Sequence, residues 1–115
     1  MSVNKKTTRK AFREAVFERD RYRCAVCGRA GQDRQGSNLH LKFHRESSPV
    51  DLDVHHVTNR NLMPNGGYVK ENGISLCPEC HVSAEAEEDG FAPQNLYEII
   101  GSSVEKARFA SEKLA

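Results

Sequence analysis

No stretch of 18 apolar residues occurs in the chain, which excludes a membrane-spanning helix. The opening MSVNKKTTRK has no apolar segment, so it does not read as a secretory signal. There is no internal repeat and no low-complexity tract. At 115 residues there is no room for a second core, so one domain over residues 1–115 is expected. Tryptophan is absent, aromatics make up 7% and charged residues 29%, and mean hydropathy is −0.68. These values describe a soluble, surface-rich chain with a small core, and such a core often needs a metal or disulfide staple. Without an export signal, the four cysteines are expected in a reducing, cytoplasmic setting, where metal binding is favoured over disulfides.

Net charge is also small, at +1, but it is unevenly spread. Residues 1–23 carry eight bases (Lys5, Lys6, Arg9, Lys10, Arg13, Arg19, Arg21, Arg23) against Glu14, Glu18 and Asp20. Residues 82–115 carry three bases and seven acids. A basic end suits a polyanionic partner, most simply nucleic acid. A solvated charged helix explains the same run equally well.

Residues 1–7 read as a flexible basic tail. Ala11, Phe12, Ala15 and Val16 then mark one face of an amphipathic helix over 8–19. A turn-rich segment surrounds the first cysteine pair, and GQDRQGS (31–37) reads as a loop. NLHLKFH (38–44) alternates as a strand, with His40 and His44 as surface residues, and LDVHHV (52–57) alternates again as its hairpin partner. TNRNLMPNGGYVKEN (58–72) is a long loop, GISLC a short strand, and CPECHVSAEAEE starts a helix that ends near Gly90. Residues 91–115 form a helical extension, broken at Gly101 and restarted by a Ser102 or Ser103 cap, which covers the core or serves an oligomer contact.

The cysteines stand as Cys24-x2-Cys27 and Cys77-x2-Cys80. Two such pairs are the pattern of a tetrahedral zinc held by four thiolates, since the two-residue spacing lets both sulfurs of a turn face one ion. Four thiolates leave no open position for water, so this zinc is structural. Thiol redox chemistry is the alternative. The intervening 49 residues are pinned at both ends, and they contain the doublet His55-His56.

Neighbouring side chains in a strand point to opposite faces, so His55 and His56 cannot both hold the same metal. One can face a cation while the other faces a water beside the phosphate. His81 directly follows the second cysteine pair, and Glu85 lies one helical turn further on. His55, His81 and Glu85 would make an oxygen- and nitrogen-rich site with open positions, suited to a divalent cation on a phosphate. Glu85 has a second reading, as the first acid of the EAEED run.

RDRYRCAVCG, LDVHHV and ENGISLCPECH, with the helix before them, together resemble the HNH endonuclease family of the four-cysteine zinc type, over roughly residues 8–86. The resemblance implies an α+β fold: a small ββα-metal (HNH/His-Me finger) core over 8–90 with a structural zinc, an N-terminal helix and C-terminal helices. It implies a phage or bacterial endonuclease that hydrolyses DNA phosphodiester bonds by nicking or double-strand cutting, as a monomer or homodimer. His55 and His81 would bind the catalytic cation, and His56 would be the general base. Asn72 would hold the loop and the base in place, or reach the metal. Many relatives carry a further histidine where this chain has Glu85, and a carboxylate there favours Mg2+ or Mn2+ over Zn2+ or Ni2+. Lys5, Lys6, Arg9, Lys10, Arg60 and Lys70 are candidates for DNA phosphates. The alternative is a zinc-stabilised DNA-binding or adaptor module without chemistry.

Overall fold

A computed structural model describes residues 5–35 and 50–114. Helix α1 spans Lys5–Arg19, three residues longer at its start than the apolar spacing predicts, so Lys5, Lys6 and Thr7 are helical rather than tail. Its buried residues are Phe12, Val16 and Phe17, while Ala11 is exposed. Arg21 and Tyr22 then take positive φ (58° and 55°), which ends the helix and turns the chain toward the first cysteine pair. Tyr22 stacks on Phe17 in the core, with ring centroids 5.4 Å apart.

Strand β1 (Gly31–Asp33) runs parallel to β2 (Val50–His56), and β3 (Gly73–Leu76) runs antiparallel to β2. Residues 31–33 have the composition of a loop, since Gly, Gln and Asp are poor strand formers. Tertiary contacts override that preference. Gly31 packs directly on Leu52, where a Cβ would come within 2.3 Å of the leucine Cγ. Buried Asp33 accepts a 2.9 Å hydrogen bond from Arg13 of α1. The predicted strand at 38–44, with His40 and His44, lies outside the described residues; among those described, β2 pairs with β1 and β3 instead.

The register opposes His55 to Ile74 and His56 to Gly73. A Cβ on Gly73 would meet Val16 and Phe12, so the His56–Gly73 side of the ribbon faces α1. The other side faces α2 (Pro78–Glu85), whose His81 approaches His55. Covered on both sides, β3 is buried at all four positions. Arg19 fastens α1 to the start of β3 by donating to the carbonyls of Lys70 (2.6 Å) and Gly73 (2.7 Å). Its neighbour Asp20 accepts from the Ser75 amide at 2.9 Å.

Helix α2 ends at Glu85 rather than near Gly90. The run Glu85, Glu87, Glu88, Asp89 would place negative charge at the negative end of the helix dipole, and Glu87 leaves at φ 50°. The long loop at 58–72 is built of short turns: 3-10 turns at Arg60–Leu62 and Lys70–Asn72, and between them Pro64–Gly67, where Asn65 (φ 52°), Gly66 (φ 82°) and Gly67 (φ 65°) take left-handed backbone. Helices α3 (Pro93–Ile99) and α4 (Val104–Glu112) are separated by Gly101 at φ 69°. Ser103 is the cap, accepting from the Lys106 amide at 3.1 Å. Ser102 instead donates to the Glu71 carbonyl at 2.8 Å, and Asn65 donates to the Ser111 carbonyl at 3.0 Å. The C-terminal helices thus brace the 58–72 segment. Among the described residues the architecture is a mixed α+β domain with a three-stranded sheet and four helices.

Candidate active site and metal centres

The two cysteine pairs meet. One sulfur from each of Cys24, Cys27, Cys77 and Cys80 lies within 4.8 Å of all the others. The first pair folds into a knuckle by the Gly28 amide donating to the Cys24 carbonyl (2.9 Å), with Gly28 at φ 80°. The Ala25 amide ties this knuckle to the Ser75 carbonyl of β3. Cys27 and Cys77 sulfurs are 3.7 Å apart, far beyond the roughly 2.05 Å of a disulfide, and all four cysteines are free. Burial pushes the Cys24 thiol up, but the backbone amides of Cys27, Cys77 and Val26 outweigh it and the net shift is downward. Burial drives the Cys77 and Cys80 thiols upward. One pocket thus favours a thiolate while its neighbours resist further negative charge, a conflict that a tetrahedral dication relieves. The donor set fits zinc.

On the α2 side of β2, His55, His81 and Glu85 each offer a ligand atom within 4.8 Å of the others. The rings of His55 and His81 have centroids 5.4 Å apart at 70°. His81 Nε2 is 3.0 Å from Glu85 Oε1, which brings Glu85 into the cluster as the helical spacing predicts. Burial, and then the neighbouring His81, lower the His55 pKa against the opposing pull of Glu85. A neutral imidazole is the form that binds a metal, so two imidazoles and a carboxylate fit a divalent cation with positions to spare. Asp53, which no motif singles out, stands two residues before His55 on the same strand face. Its Oδ2 is 3.5 Å from His81 Nδ1, and its Oδ1 accepts from Arg34 at 3.0 Å. A carboxylate behind a ligating histidine orients the ring and raises its basicity. The two-residue strand period is a signal for Asp53, but its partners His81 and Arg34 come from distant positions.

His56 points the other way, as the strand alternation predicts. Its ring stacks on Phe12 (4.8 Å, 29°) and meets Tyr68 edge-on (4.9 Å, 89°). Its Nε2 has no hydrogen-bond partner and is covered. Burial first, then His55 and Arg60, depress its pKa from 6.5 to about 4. The side chain is therefore neutral across the physiological range.

Asn72 is fully buried and all four of its amide hydrogen-bonding positions are used. Its Oδ1 accepts from the Thr58 amide (2.9 Å) and the Tyr97 hydroxyl (2.7 Å); its Nδ2 donates to the carbonyls of Thr58 (3.0 Å) and Gly67 (3.3 Å). Its backbone carbonyl accepts from Val57 at 2.8 Å. So Asn72 clamps the residues that follow His56, the first of the two roles expected for it, and its amide positions are taken up by Thr58, Gly67 and Tyr97. Gly67 is required here: it adopts φ 65°, and a Cβ would lie 2.7 Å from Asn72 Nδ2.

A cleft of about 630 Å3 is lined by His55, His56, His81, Glu85, Asn59 and Arg60 among others, and so joins the cation cluster to the second histidine. Arg60 reaches its rim and donates to the Tyr68 hydroxyl at 3.2 Å. Arg9 stacks over the Tyr68 ring at 5.8 Å. Lys70 lies away from this cleft, in a groove against α1 with Thr7, Thr8 and Ala11. Lys5, Lys6, Arg9 and Lys10 occupy exposed positions in the first turns of α1. Arg13 and Arg19, further along the helix, pair with Asp33 and Asp20.

A family model described as HNH endonuclease matches residues 24–87, more than half of the chain. No curated protein and no solved structure matches it. The matched span holds both cysteine pairs, the histidine doublet, Asn72, His81 and Glu85. No helix of the described residues is long and apolar enough to cross a membrane.

Proposed function

Since the chain belongs to the HNH endonuclease family, we propose that it is a metal-dependent endonuclease that hydrolyses DNA phosphodiester bonds. The observation that carries this reading is the cluster His55, His81 and Glu85 opening into the same cleft as His56 and Arg60. Hydrolysis needs a water aligned opposite the leaving oxygen, a group to take its proton, and positive charge at the phosphate. His56 is the base: neutral at physiological pH, it accepts the proton at Nδ1, since its Nε2 is covered, as the water oxygen bonds to phosphorus and the ester P–O bond breaks. A Mg2+ or Mn2+ ion held by His55, His81 and Glu85 would neutralise the phosphate and the leaving oxygen. Asp53 steadies His81, Asn72 steadies the chain after His56, and Arg60 offers a guanidinium to a phosphate at the rim. The four cysteines would hold a structural zinc that pins the two ends of the matched span.

A second reading, a zinc-stabilised DNA-binding module without chemistry, draws on the covered Nε2 of His56. Supercoiled plasmid incubated with the protein and Mg2+, Mn2+, Zn2+ or Ni2+ separates the two. The nuclease reading expects nicked or linear DNA from wild type and a large loss with His56→Ala. Binding without any cleavage, under every ion, sinks it in favour of the module.

A further inference from the structure

Helix α3 lies wholly beyond the matched residues 24–87, yet one of its side chains enters the site. Tyr97 is 5% exposed and donates its hydroxyl proton to Asn72 Oδ1 at 2.7 Å. Its hydroxyl oxygen is also 2.6 Å from Thr58 Oγ1. Because the tyrosine proton is committed to Asn72, the Thr58 hydroxyl is the donor in that second bond. The direction of the chain is then fixed: Thr58 hydroxyl to Tyr97 hydroxyl to Asn72 carbonyl. Burial pushes the tyrosine hydroxyl above its ordinary range, which keeps it a donor.

Asn72 accepts from the Thr58 amide and donates to the Thr58 carbonyl, so it grips one residue at both ends. Tyr97 completes the loop by taking the Thr58 side chain as well. We propose that Tyr97 is a positioning residue of the nuclease site: its hydroxyl fixes the Asn72–Thr58 clamp, and so fixes the end of β2 that carries His56. This rests on the nuclease reading above. A shift of the clamp moves the base relative to the water it must meet, and a buried hydrogen bond left unmade is costly because no solvent replaces it. The role makes α3 part of the catalytic unit rather than a cover for the core.

Tyr97→Phe in the zinc-loaded full chain is the test, with Ala107→Gly in α4 as a control for reduced stability. The first readout is the single-turnover cleavage rate at saturating DNA and metal; the second is hydrogen exchange of the Thr58 backbone amide by NMR. Tyr97→Phe is expected to slow cleavage about tenfold, the scale of one missing buried hydrogen bond, with DNA half-saturation unchanged. The Thr58 amide should exchange about tenfold faster for the same reason. Ala107→Gly should change neither by a comparable amount. Equal effects in both variants, or an unchanged Thr58 amide in Tyr97→Phe, overturn the proposal, and so does an unchanged rate. A wild type that never cleaves DNA would remove the nuclease reading itself, while the exchange measurement would still show whether Tyr97 holds the clamp.

Discussion

At the scale of single residues, the doublet turns its two rings to opposite sides of one strand, toward α1 and toward α2. On the nuclease reading, His56→Ala removes the base but leaves the cation cluster whole, so the cleavage rate should fall about 10²- to 10⁴-fold and extra metal should not restore it. His55→Ala and His81→Ala should instead weaken the cation, and their activity should partly return at high Mg2+ or Mn2+. Asp53→Ala should resemble them in milder form, at about 10- to 100-fold in metal affinity. Single-turnover cleavage across a metal titration checks all four; metal rescue of His56→Ala alone would reverse the assignments. His56 also couples stability to pH. Its pKa is 6.5 when unperturbed and about 4 in the fold, so between those values the unfolded chain binds more protons. Stability therefore rises with pH in that window and is lost as pH falls through it. The denaturation midpoint of wild type should drop more steeply from pH 6.5 to 4 than that of His56→Ala, and parallel curves would contradict the buried neutral ring. The doublet's split is legible in the sequence because strand alternation is a local property. The roles of Asp53 and Tyr97 are not, because they are made by partners many residues away.

At the scale of elements, α1 combines structural and solvent-facing charge. Arg13 and Arg19 anchor it to β1 and β3, while Lys5, Lys6, Arg9 and Lys10 project from its first turns. Replacing those four with alanine should weaken DNA binding uniformly over sequence. It should flatten the log–log salt slope by about 0.9 for each phosphate no longer neutralised, read by binding isotherms at several salt concentrations. An unchanged slope would move the DNA backbone to Arg60 and the 58–72 segment. The run of bases is readable as a charged helix, but which arginines are tied down is not, because Asp33 lies on a strand the sequence conceals. Residues 31–33 become a strand only through Leu52 and Arg13. The end of α2 is hidden for a related reason: EAEED has good helix formers, but their charge opposes the helix dipole at that end.

At the scale of the whole molecule, the four cysteines join segments 49 residues apart in a chain with a small core. Structural zinc is worth on the order of 10 kcal/mol or more in small domains. Replacing any one of Cys24, Cys27, Cys77 or Cys80 with serine should therefore unfold much of the chain, as should a strong chelator, both visible by circular dichroism. A native spectrum with no tightly bound zinc would dismiss the staple. This part of the architecture is the most legible, since each knuckle is encoded within four consecutive residues.

Cys80 and His81 are consecutive, and that adjacency gives the protein a history. If zinc holds the four cysteines, it fixes the turn that starts α2 and with it the place of His81 beside His55. On that reading the soft ion organises the site of the hard one, and the two are expected to load in sequence. Metal-stripped protein offered Mn2+ alone should show no ordered site by electron paramagnetic resonance, and the signal should emerge only after zinc is added. In a zinc-starved cell the newly made chain would then remain inert however much magnesium surrounded it, so that one scarce element licenses the use of an abundant one.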